Sequence, residues 1–453
     1  MRLPFIGDGY GIDGDSWSLA INAKQIHDTG TYSPSRLPGF PVHEFLCSLF
    51  AYTGYQGLNL ISVIFSVVAV IFFAKILKVL RFRMVLLASI AFAAVPVFYI
   101  HSTTTIDYVP ALAFILGATY FLLRDKLILA GIFIGLAVGT RITSGAMLVP
   151  LSILIANNDG IKNNIQRILR FVIPSLFVST IFYVPLLKEY GLDFFTYYNV
   201  PYPSIPKVLY KFSIEVWGIV GISGIIISTA LLFFSARNSS RRFLFPRAVN
   251  EKFVISWLVA IDLYIIAFLK LPMESGYLIP IIPFVIFLFG KYLHSRAFVF
   301  FCMMLIASSL ICTISPRERF DAATPSFASF KFEMAGEELY FDVLKGPVMS
   351  YETRRKNGIN FVESLIESAD TITSRTVLVA GKWYNQLVVQ CKDTAALKFR
   401  VKDYLNEDEA VYFYAKGFTI YYLPKQDFYN KIMRNVDLDI YRAEPYIRNT
   451  EFN

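Results

Sequence analysis

The sequence predicts an α-helical polytopic membrane protein with about ten spans, followed by a C-terminal soluble α/β domain. Of its 453 residues, 55% are hydrophobic and 17% are charged, whereas soluble domains have about 25% charged residues. The charge is also unevenly spread: residues 1–313 hold 24 Lys and Arg against 14 Asp and Glu, and residues 314–453 hold 19 against 20. Basic charge between apolar segments is typical of cytoplasmic loops, and it argues against nucleic-acid binding.

Ten apolar segments are candidates for the spans. A helix needs about 20 apolar residues to cross a hydrocarbon core of about 30 Å, and several of the segments are shorter. The fourth and fifth are separated only by Arg141, so we expect half-spans or shallow helices that line a cavity. The ten segments run over 57–77, 84–100, 107–123, 127–140, 142–156, 171–187, 217–235, 253–269, 277–290 and 297–313.

The basic residues of the connections predict the orientation. Alternate connections, starting with 78–83, together hold 15 Lys and Arg, and the other connections hold five. The positive-inside rule places the richer set in the cytoplasm, so residues 1–56, Arg141 and residues 314–453 face outward. Ten of the 14 acidic residues before position 314 fall on this outer side. Chemistry that needs carboxylates is therefore expected there.

Three regions follow from this topology. Residues 1–56 are an outer catalytic loop with membrane-surface helices, since 20–26 and 42–52 are amphipathic, and residues 57–313 are the transmembrane core. Residues 314–453 are the extracytoplasmic α/β domain. In that domain the patterns predict helices at 357–368 and 425–435 and strands at 376–380, 410–414 and 418–423.

The most specific local motif is Gly11–Ala20, which contains Asp13 and Asp15. On these residues alone, Asp15 is also a reasonable N-cap of a surface helix. Asp13 and Asp15 form an Asp-x-Asp pair whose oxygens suit a divalent metal, although a glycine-rich turn with a solvated Asp13 explains the pair better. We therefore name no cofactor with certainty and leave a divalent metal open. Arg36, later in the same loop, is interpreted as an interfacial anchor or as a ligand.

Three further outer motifs carry ionisable side chains. They are His101-Ser-Thr-Thr-Thr-Ile-Asp107 before one span, Arg141 within the short helix pair, and Lys270-Leu-Pro-Met-Glu274-Ser-Gly-Tyr277 before another span. Structural interpretations stay open for two of these residues. His101 also fits the outer edge of a helix, and Glu274 also fits as the partner of Lys270, four residues before it.

Taken in order, these motifs resemble the GT-C fold group of membrane glycosyltransferases, which use polyprenyl-phosphate-linked sugars. The group includes the protein O-mannosyltransferases and the aminoarabinose transferases of lipid A. Asp15, Ala20 and Gly30 reproduce the spacing of the group's first outer loop, with Ser16 in place of the usual Glu. The resemblance covers about residues 10–313. The group has a span before this loop, so we expect a further helix upstream of the given sequence.

The resemblance implies a mannosyltransferase-like hexosyl or pentosyl transferase of cell-envelope glycosylation, active on the outer side of the plasma or inner membrane. Its partners would be membrane lipid, a polyprenyl-phosphate sugar donor, and a protein, lipid or glycan acceptor. Asp15 would be the catalytic base. Asp107, Asp13 and His101 would position the acceptor or a cation. Arg141, Lys270, Glu274 and Tyr277 would bind the donor phosphate.

Three other functions stay open. A polysaccharide polymerase or ligase is expected to have a large outer loop rich in Arg and His, and residues 188–212 hold three Lys and neither of those. A lipid flippase or transporter is expected to show repeated halves and charges at mid-membrane, and the sequence shows no repeat and nearly uncharged span centres. A non-catalytic scaffold that presents the outer domain predicts that Asp15 and Arg141 can be lost without harm.

Overall fold

The structure is a computed structural model that describes residues 2–156, 160–191, 202–235, 244–245, 249–316, 319, 322–334, 337–367, 375–391 and 399–422. Within these residues the chain is mostly helical, and the helices between residues 54 and 308 pack around one large apolar core. The helix predicted at 425–435 and the middle of the outer loop 188–212 lie outside the described residues.

Two surface helices precede the first long apolar helix. They are α1 (Gly14–Thr29) and α2 (Pro41–Ser48). Helix α1 begins after Asp13, whose extended backbone places it at the N-cap, and ends at Gly30, whose φ of 67° is the left-handed conformation that glycine adopts readily. Asp15 therefore lies in the first turn of α1, and the interpretation of Asp15 as the N-cap is wrong.

Apolar helices match all ten predicted spans in order. The helices from this part of the chain are α3 (Gly54–Val79), α4 (Val85–Ala94), α5 (Pro96–His101), α6 (Tyr108–Leu123), α7 (Leu127–Thr140), α8 (Leu148–Ile155), α9 (Ile161–Tyr190), α10 (Ile205–Phe212), α11 (Ile214–Ser235), α12 (Glu251–Lys270), α13 (Ile281–Tyr292) and α14 (Ser295–Ser308). In the described part of the chain, α3, α9, α11 and α12 are long and apolar enough to cross a membrane. Six further apolar helices are shorter than 18 residues, so the polytopic helical fold is confirmed and several of its segments are short.

Breaks in the helices bring polar side chains to helix ends. Helix α4 ends at Ala94 and Pro96 begins α5, because proline has no N–H to continue a helix. Arg141 has an extended backbone between α7 and the 3₁₀ turn Ile142–Met147, which confirms the predicted interruption of the short helix pair. His101 is the last residue of α5, so His101 and Arg141 each lie at the end of a helix, and both are buried.

In the described part of the chain, two small sheets and three α-helices follow the membrane core. They are β1 (Thr313–Pro316), β2 (Ser329–Met334), β3 (Glu337–Asp342), α15 (Pro347–Glu367), β4 (Thr376–Val379), α16 (Tyr384–Gln390), β5 (Arg400–Lys402), α17 (Glu407–Ala415) and β6 (Thr419–Tyr422). The first sheet is antiparallel, in the order β1-β3-β2, and the second is parallel, in the order β5-β4-β6. The predicted strands at 376–380 and 418–423 are confirmed as β4 and β6. The strand predicted at 410–414 is wrong, because Asn406 and Glu409 form a capping box that begins α17.

A buried arginine joins this C-terminal region to the N-terminal segment. Arg355 of α15 is 2% exposed. Its guanidinium donates to the backbone carbonyl oxygens of Phe5 at 2.8 Å, Asp8 at 3.0 Å and Gly9 at 2.6 Å, and also to that of Thr103 at 3.4 Å. These hydrogen bonds fix the path of the chain just before α1, and so they help to place the first turn of that helix. The division into three regions at residues 56 and 313 stays a prediction.

Candidate active site

Two carboxylates and two arginines form a continuous chain of ion pairs. Arg36 Nη1 lies 2.7 Å from Asp15 Oδ2, and Arg36 Nη2 lies 3.5 Å from Asp107 Oδ1. Arg141 Nη1 lies 2.5 Å from the other oxygen of Asp107. The four residues come from α1, the loop before α2, the start of α6 and the break after α7. Segments far apart in the sequence thus converge on one charge-alternating cluster, which we call the ion-pair chain.

The burial of the ion-pair chain is graded from one end to the other. The side chain of Asp15 is 46% exposed, that of Arg36 is 16% exposed, and those of Arg141 and Asp107 are 8% and 0% exposed. Buried charges are tolerated when they are paired and hydrogen-bonded, as Asp107 is by two guanidinium groups. Asp15 is the end of the chain that a substrate can reach from solvent.

Aromatic rings surround the two guanidinium groups. The Arg141 guanidinium carbon lies 3.9 Å from the ring centroid of Tyr108 and 4.3 Å from that of Tyr277. The Arg36 guanidinium carbon lies 4.5 Å from the ring centroid of Phe40. A cation within about 6 Å of an aromatic face is attracted to it. Arg141 Nε, also buried, has no hydrogen-bond partner among the described residues, so this N–H is available to a ligand.

A buried glutamate shapes the loop that carries Arg36. Glu44 of α2 is 0% exposed. Its carboxylate accepts hydrogen bonds from Tyr32 Oη at 2.6 Å, from the Ser35 backbone N–H at 2.7 Å and from the Phe40 backbone N–H at 3.0 Å. Burial raises the pKa of Glu44, although these donors act in the opposite direction. Glu44 therefore holds both ends of the loop. The sequence alone does not single out Glu44, whose signal is a carboxylate in the first turn of an amphipathic helix that begins with a proline.

Three of the proposed site residues are not part of the ion-pair chain. Asp13, His101 and Glu274 line a separate cavity of about 110 Å³. Glu274 Oε1 lies 4.0 Å from Lys211 Nζ, so the alternative interpretation of Glu274, as the partner of Lys270, is wrong. Burial raises the pKa of Glu274 to about 8, although Lys211 acts in the opposite direction.

The structure separates the remaining predicted residues. The side chain of Lys270 is exposed at the end of α12, whereas Tyr277 lies against Arg141. The Asp-x-Asp pair is divided, because Asp15 contacts Arg36 and Asp13 lines the cavity. No group of three or more metal-ligating side chains occurs in the part of the chain that the structure describes. The structure thus brings together four residues of the predicted site: Asp15, Asp107, Arg141 and Tyr277. It adds Arg36, which the sequence left open as an interfacial anchor or a ligand.

Comparison with known proteins gives similarity at the level of structure. No protein-family model matches the chain, and no curated protein matches its sequence. The crystal structure of ArnT from Cupriavidus metallidurans in the apo state aligns with a TM-score of 0.52 at 12% identity, over 96% of this chain and 93% of that chain. The crystal structure of the same protein bound to undecaprenyl phosphate aligns with a TM-score of 0.50 at 13% identity, over 98% and 87%.

These alignments establish the fold. The chain has the GT-C-like architecture of ArnT, with its apolar helices followed by a C-terminal region that contains small sheets. The resemblance drawn from the sequence motifs is confirmed at this level. Because one fold can host many activities, the function has to be argued from the site itself.

Proposed function

We propose that this chain is a membrane glycosyltransferase that moves a sugar from a polyprenyl-phosphate donor to an acceptor on the extracytoplasmic side. The observation that carries the proposal is the ion-pair chain, which has an accessible carboxylate at one end and guanidinium groups behind it. The fold supports it, because ArnT shares the architecture and one of its structures is bound to undecaprenyl phosphate.

The reaction needs a base for the acceptor. Asp15 takes the proton of the acceptor hydroxyl as that oxygen attacks the anomeric carbon of the sugar. The bond between this carbon and the phosphate oxygen breaks, and its electron pair stays on the phosphate. Arg36, 2.7 Å from the Asp15 carboxylate, orients it before the acceptor arrives. The exposure of Asp15 leaves space for an acceptor of protein, lipid or glycan type.

The reaction also needs cations for the leaving phosphate. Guanidinium groups suit this role, because their planar fork donates two parallel hydrogen bonds to phosphate oxygens. Arg36 is the more accessible of the two arginines, and Arg141 contributes its buried Nε–H. Asp107 holds both arginines in place, and Tyr277 covers Arg141. Lys270, exposed at the end of α12, has no part in this mechanism.

The experiment is a transfer assay with the purified full chain. Undecaprenyl phosphate carrying a radiolabelled sugar is incubated with the protein and an acceptor fraction from the host membrane, with boiled protein as the control. We expect the label to move to acceptor and an equal amount of bare undecaprenyl phosphate to appear. If reconstituted protein instead carries the labelled donor across the vesicle bilayer with its sugar bond intact, the chain is a flippase and the proposal is wrong.

A further inference from the structure

A polar cavity of about 110 Å³ lies beside the ion-pair chain and has no part in the mechanism above. Its wall is shared between the N-cap of α1, the helices α5, α10 and α11, the segment before α13, strand β1 and helix α15. The share of liquid volume that one water molecule takes is about 30 Å³. The cavity therefore has room for a polar group larger than a single water molecule.

The wall of this cavity contains both donors and acceptors. Three basic side chains and three acidic side chains line it: Lys211, Arg319, Arg354, Asp13, Glu215 and Glu274. Some of them pair with one another, since Arg319 Nη1 lies 3.2 Å from Glu215 Oε1 and Lys211 Nζ lies 4.0 Å from Glu274 Oε1. A wall that offers both kinds of group suits hydroxyls, because each hydroxyl donates one hydrogen bond and accepts others.

Three buried polar atoms of the wall lack a hydrogen-bond partner within the described ranges. They are His101 Nδ1, Glu215 Oε2 and Arg354 Nε. His101 is only 6% exposed. Buried polar atoms are hydrogen-bonded in the great majority of cases, so three of them around one cavity indicate a site built for a polar ligand.

Aromatic side chains complete the wall and connect it to the ion-pair chain. Tyr210 and Tyr351 line the cavity, and an aromatic face offers a flat apolar surface to the C–H groups of a sugar ring. The ring of His101 lies 5.0 Å from the ring of Tyr108, and Tyr108 in turn covers the Arg141 guanidinium at 3.9 Å. A ligand whose phosphate meets the ion-pair chain could thus place an attached group in the cavity.

We propose that the cavity binds the hydroxyl-bearing edge of the sugar that is transferred, with Arg354, Glu215 and His101 as its hydrogen-bonding groups. This inference rests on the proposed function. It adds that α15, in the C-terminal region, contributes to the selectivity for the sugar. The lipid phosphate and the sugar are then recognised by different residues, so the two interactions can be separated by substitution.

The test compares the binding of bare and sugar-carrying lipid to the purified full chain. The probes are undecaprenyl phosphate alone and undecaprenyl phosphate carrying glucose, mannose, galactose or N-acetylglucosamine. We expect wild-type protein to bind at least one sugar-carrying lipid about tenfold more tightly than the bare lipid, the gain that one hydrogen bond to a charged group provides. Arg354→Gln and Glu215→Gln should each abolish that gain and leave the affinity for bare lipid unchanged. Arg400→Gln and Glu333→Gln, at exposed positions, are the matched controls.

Each of the other outcomes contradicts either this inference or the proposed function. If wild-type protein binds the bare lipid but gains nothing from any sugar, the cavity holds only water and this inference fails, while the proposed function stands. The inference also fails if the two cavity variants retain the gain, or if they weaken bare and sugar-carrying lipid equally. If wild-type protein binds neither kind of lipid, the proposed function itself fails. Arg354 and Glu215 belong to different helices, α15 and α11, so if one cavity variant does not fold, the other decides whether the gain depends on the cavity.

Discussion

At the scale of single residues, the arginines of the ion-pair chain differ in what they contact. Arg36 bridges Asp15 and Asp107 and remains partly exposed, whereas Arg141 is almost fully buried between Asp107 and two tyrosine rings. Both environments favour a planar guanidinium over the compact ammonium of lysine. An interfacial anchor needs only a positive charge and sufficient length, whereas a phosphate ligand needs the planar guanidinium. Exchange of arginine for lysine therefore distinguishes the anchor from the ligand.

The substitution Arg141→Lys should lower the rate of sugar transfer without lowering the amount of protein in the membrane. Loss of the forked contact costs about 1–3 kcal/mol in the transition state, roughly 5- to 150-fold in rate. Transfer rates are measured at equal protein amounts, with Lys270→Arg as the control that should stay close to wild type. A wild-type rate for Arg141→Lys would remove Arg141 from the site. Loss of protein together with activity would show that Arg141 supports the fold of the short helix pair.

The substitution Glu44→Gln should destabilise the loop that carries Arg36. A glutamine has one acceptor oxygen where the native carboxylate accepts three hydrogen bonds. The buried donors left unpaired cost about 1–3 kcal/mol, so the melting temperature and the transfer rate should both fall. Glu333→Gln, at an exposed position of β2, is the control. An unchanged melting temperature would show that Glu44 does not hold the loop.

At the scale of secondary-structure elements, α15 holds the N-terminal segment in place before α1. Arg355 supplies the contact, and its acceptors are backbone carbonyls, which no substitution in residues 5–9 removes. Because α1 carries Asp15 in its first turn, the C-terminal region is expected to support the catalytic carboxylate from a distance.

The substitution Arg355→Met should increase the mobility of the N-terminal segment before α1. Loss of the guanidinium leaves the carbonyl oxygens of Phe5, Asp8 and Gly9 without this donor, so we expect faster amide hydrogen exchange over residues 5–16 and slower sugar transfer. Lys356→Met is the matched control, because Lys356 is exposed and its ion pair with Asp8, at 3.5 Å, is of the surface type that contributes little. Equal exchange in both variants would contradict a role of Arg355 in positioning α1.

How far the sequence predicts these elements depends on whether the signal is local. Apolar segments are local signals, and all ten coincide with apolar helices. Residues 410–414 alternate and are rich in aromatic side chains, which favours a strand, yet the capping box at Asn406 overrides that preference. Arg36 pairs with a carboxylate 71 residues away. Such a pair follows from the packing of α1, α2 and α6, and no local sequence pattern predicts it.

At the scale of the whole molecule, the ion-pair chain, the cavity and the C-terminal region lie at the same ends of the helices. Asp13 lines the cavity, and Asp15 belongs to the ion-pair chain. Arg355 of α15 donates hydrogen bonds to the segment that precedes both residues. All three features must therefore face the same side of the membrane. The distribution of basic residues predicts that this side lies outside the cytoplasm.

A reporter that is active only outside the cytoplasm tests this orientation. Fused after Asn453 it should be active, and inserted at Ser239 it should be silent, because residues 236–252 hold five basic residues. Silence at Asn453 together with activity at Ser239 would reverse the topology and move the site to the cytoplasmic side.

The central claim is that Asp15 is the general base, and single-turnover sugar transfer by Asp15→Asn tests it most directly. Asparagine keeps the size of the side chain but cannot accept the proton, and removal of a general base typically costs about 10²–10⁴-fold in rate. Asp28→Asn changes an exposed carboxylate at the other end of α1, bonded to Tyr52, and it should transfer at the wild-type rate. We predict that Asp15→Asn binds undecaprenyl phosphate as wild type does and transfers sugar at least about 100-fold more slowly. Retention of more than roughly a third of the wild-type rate, far above the range expected for loss of a base, would contradict the account.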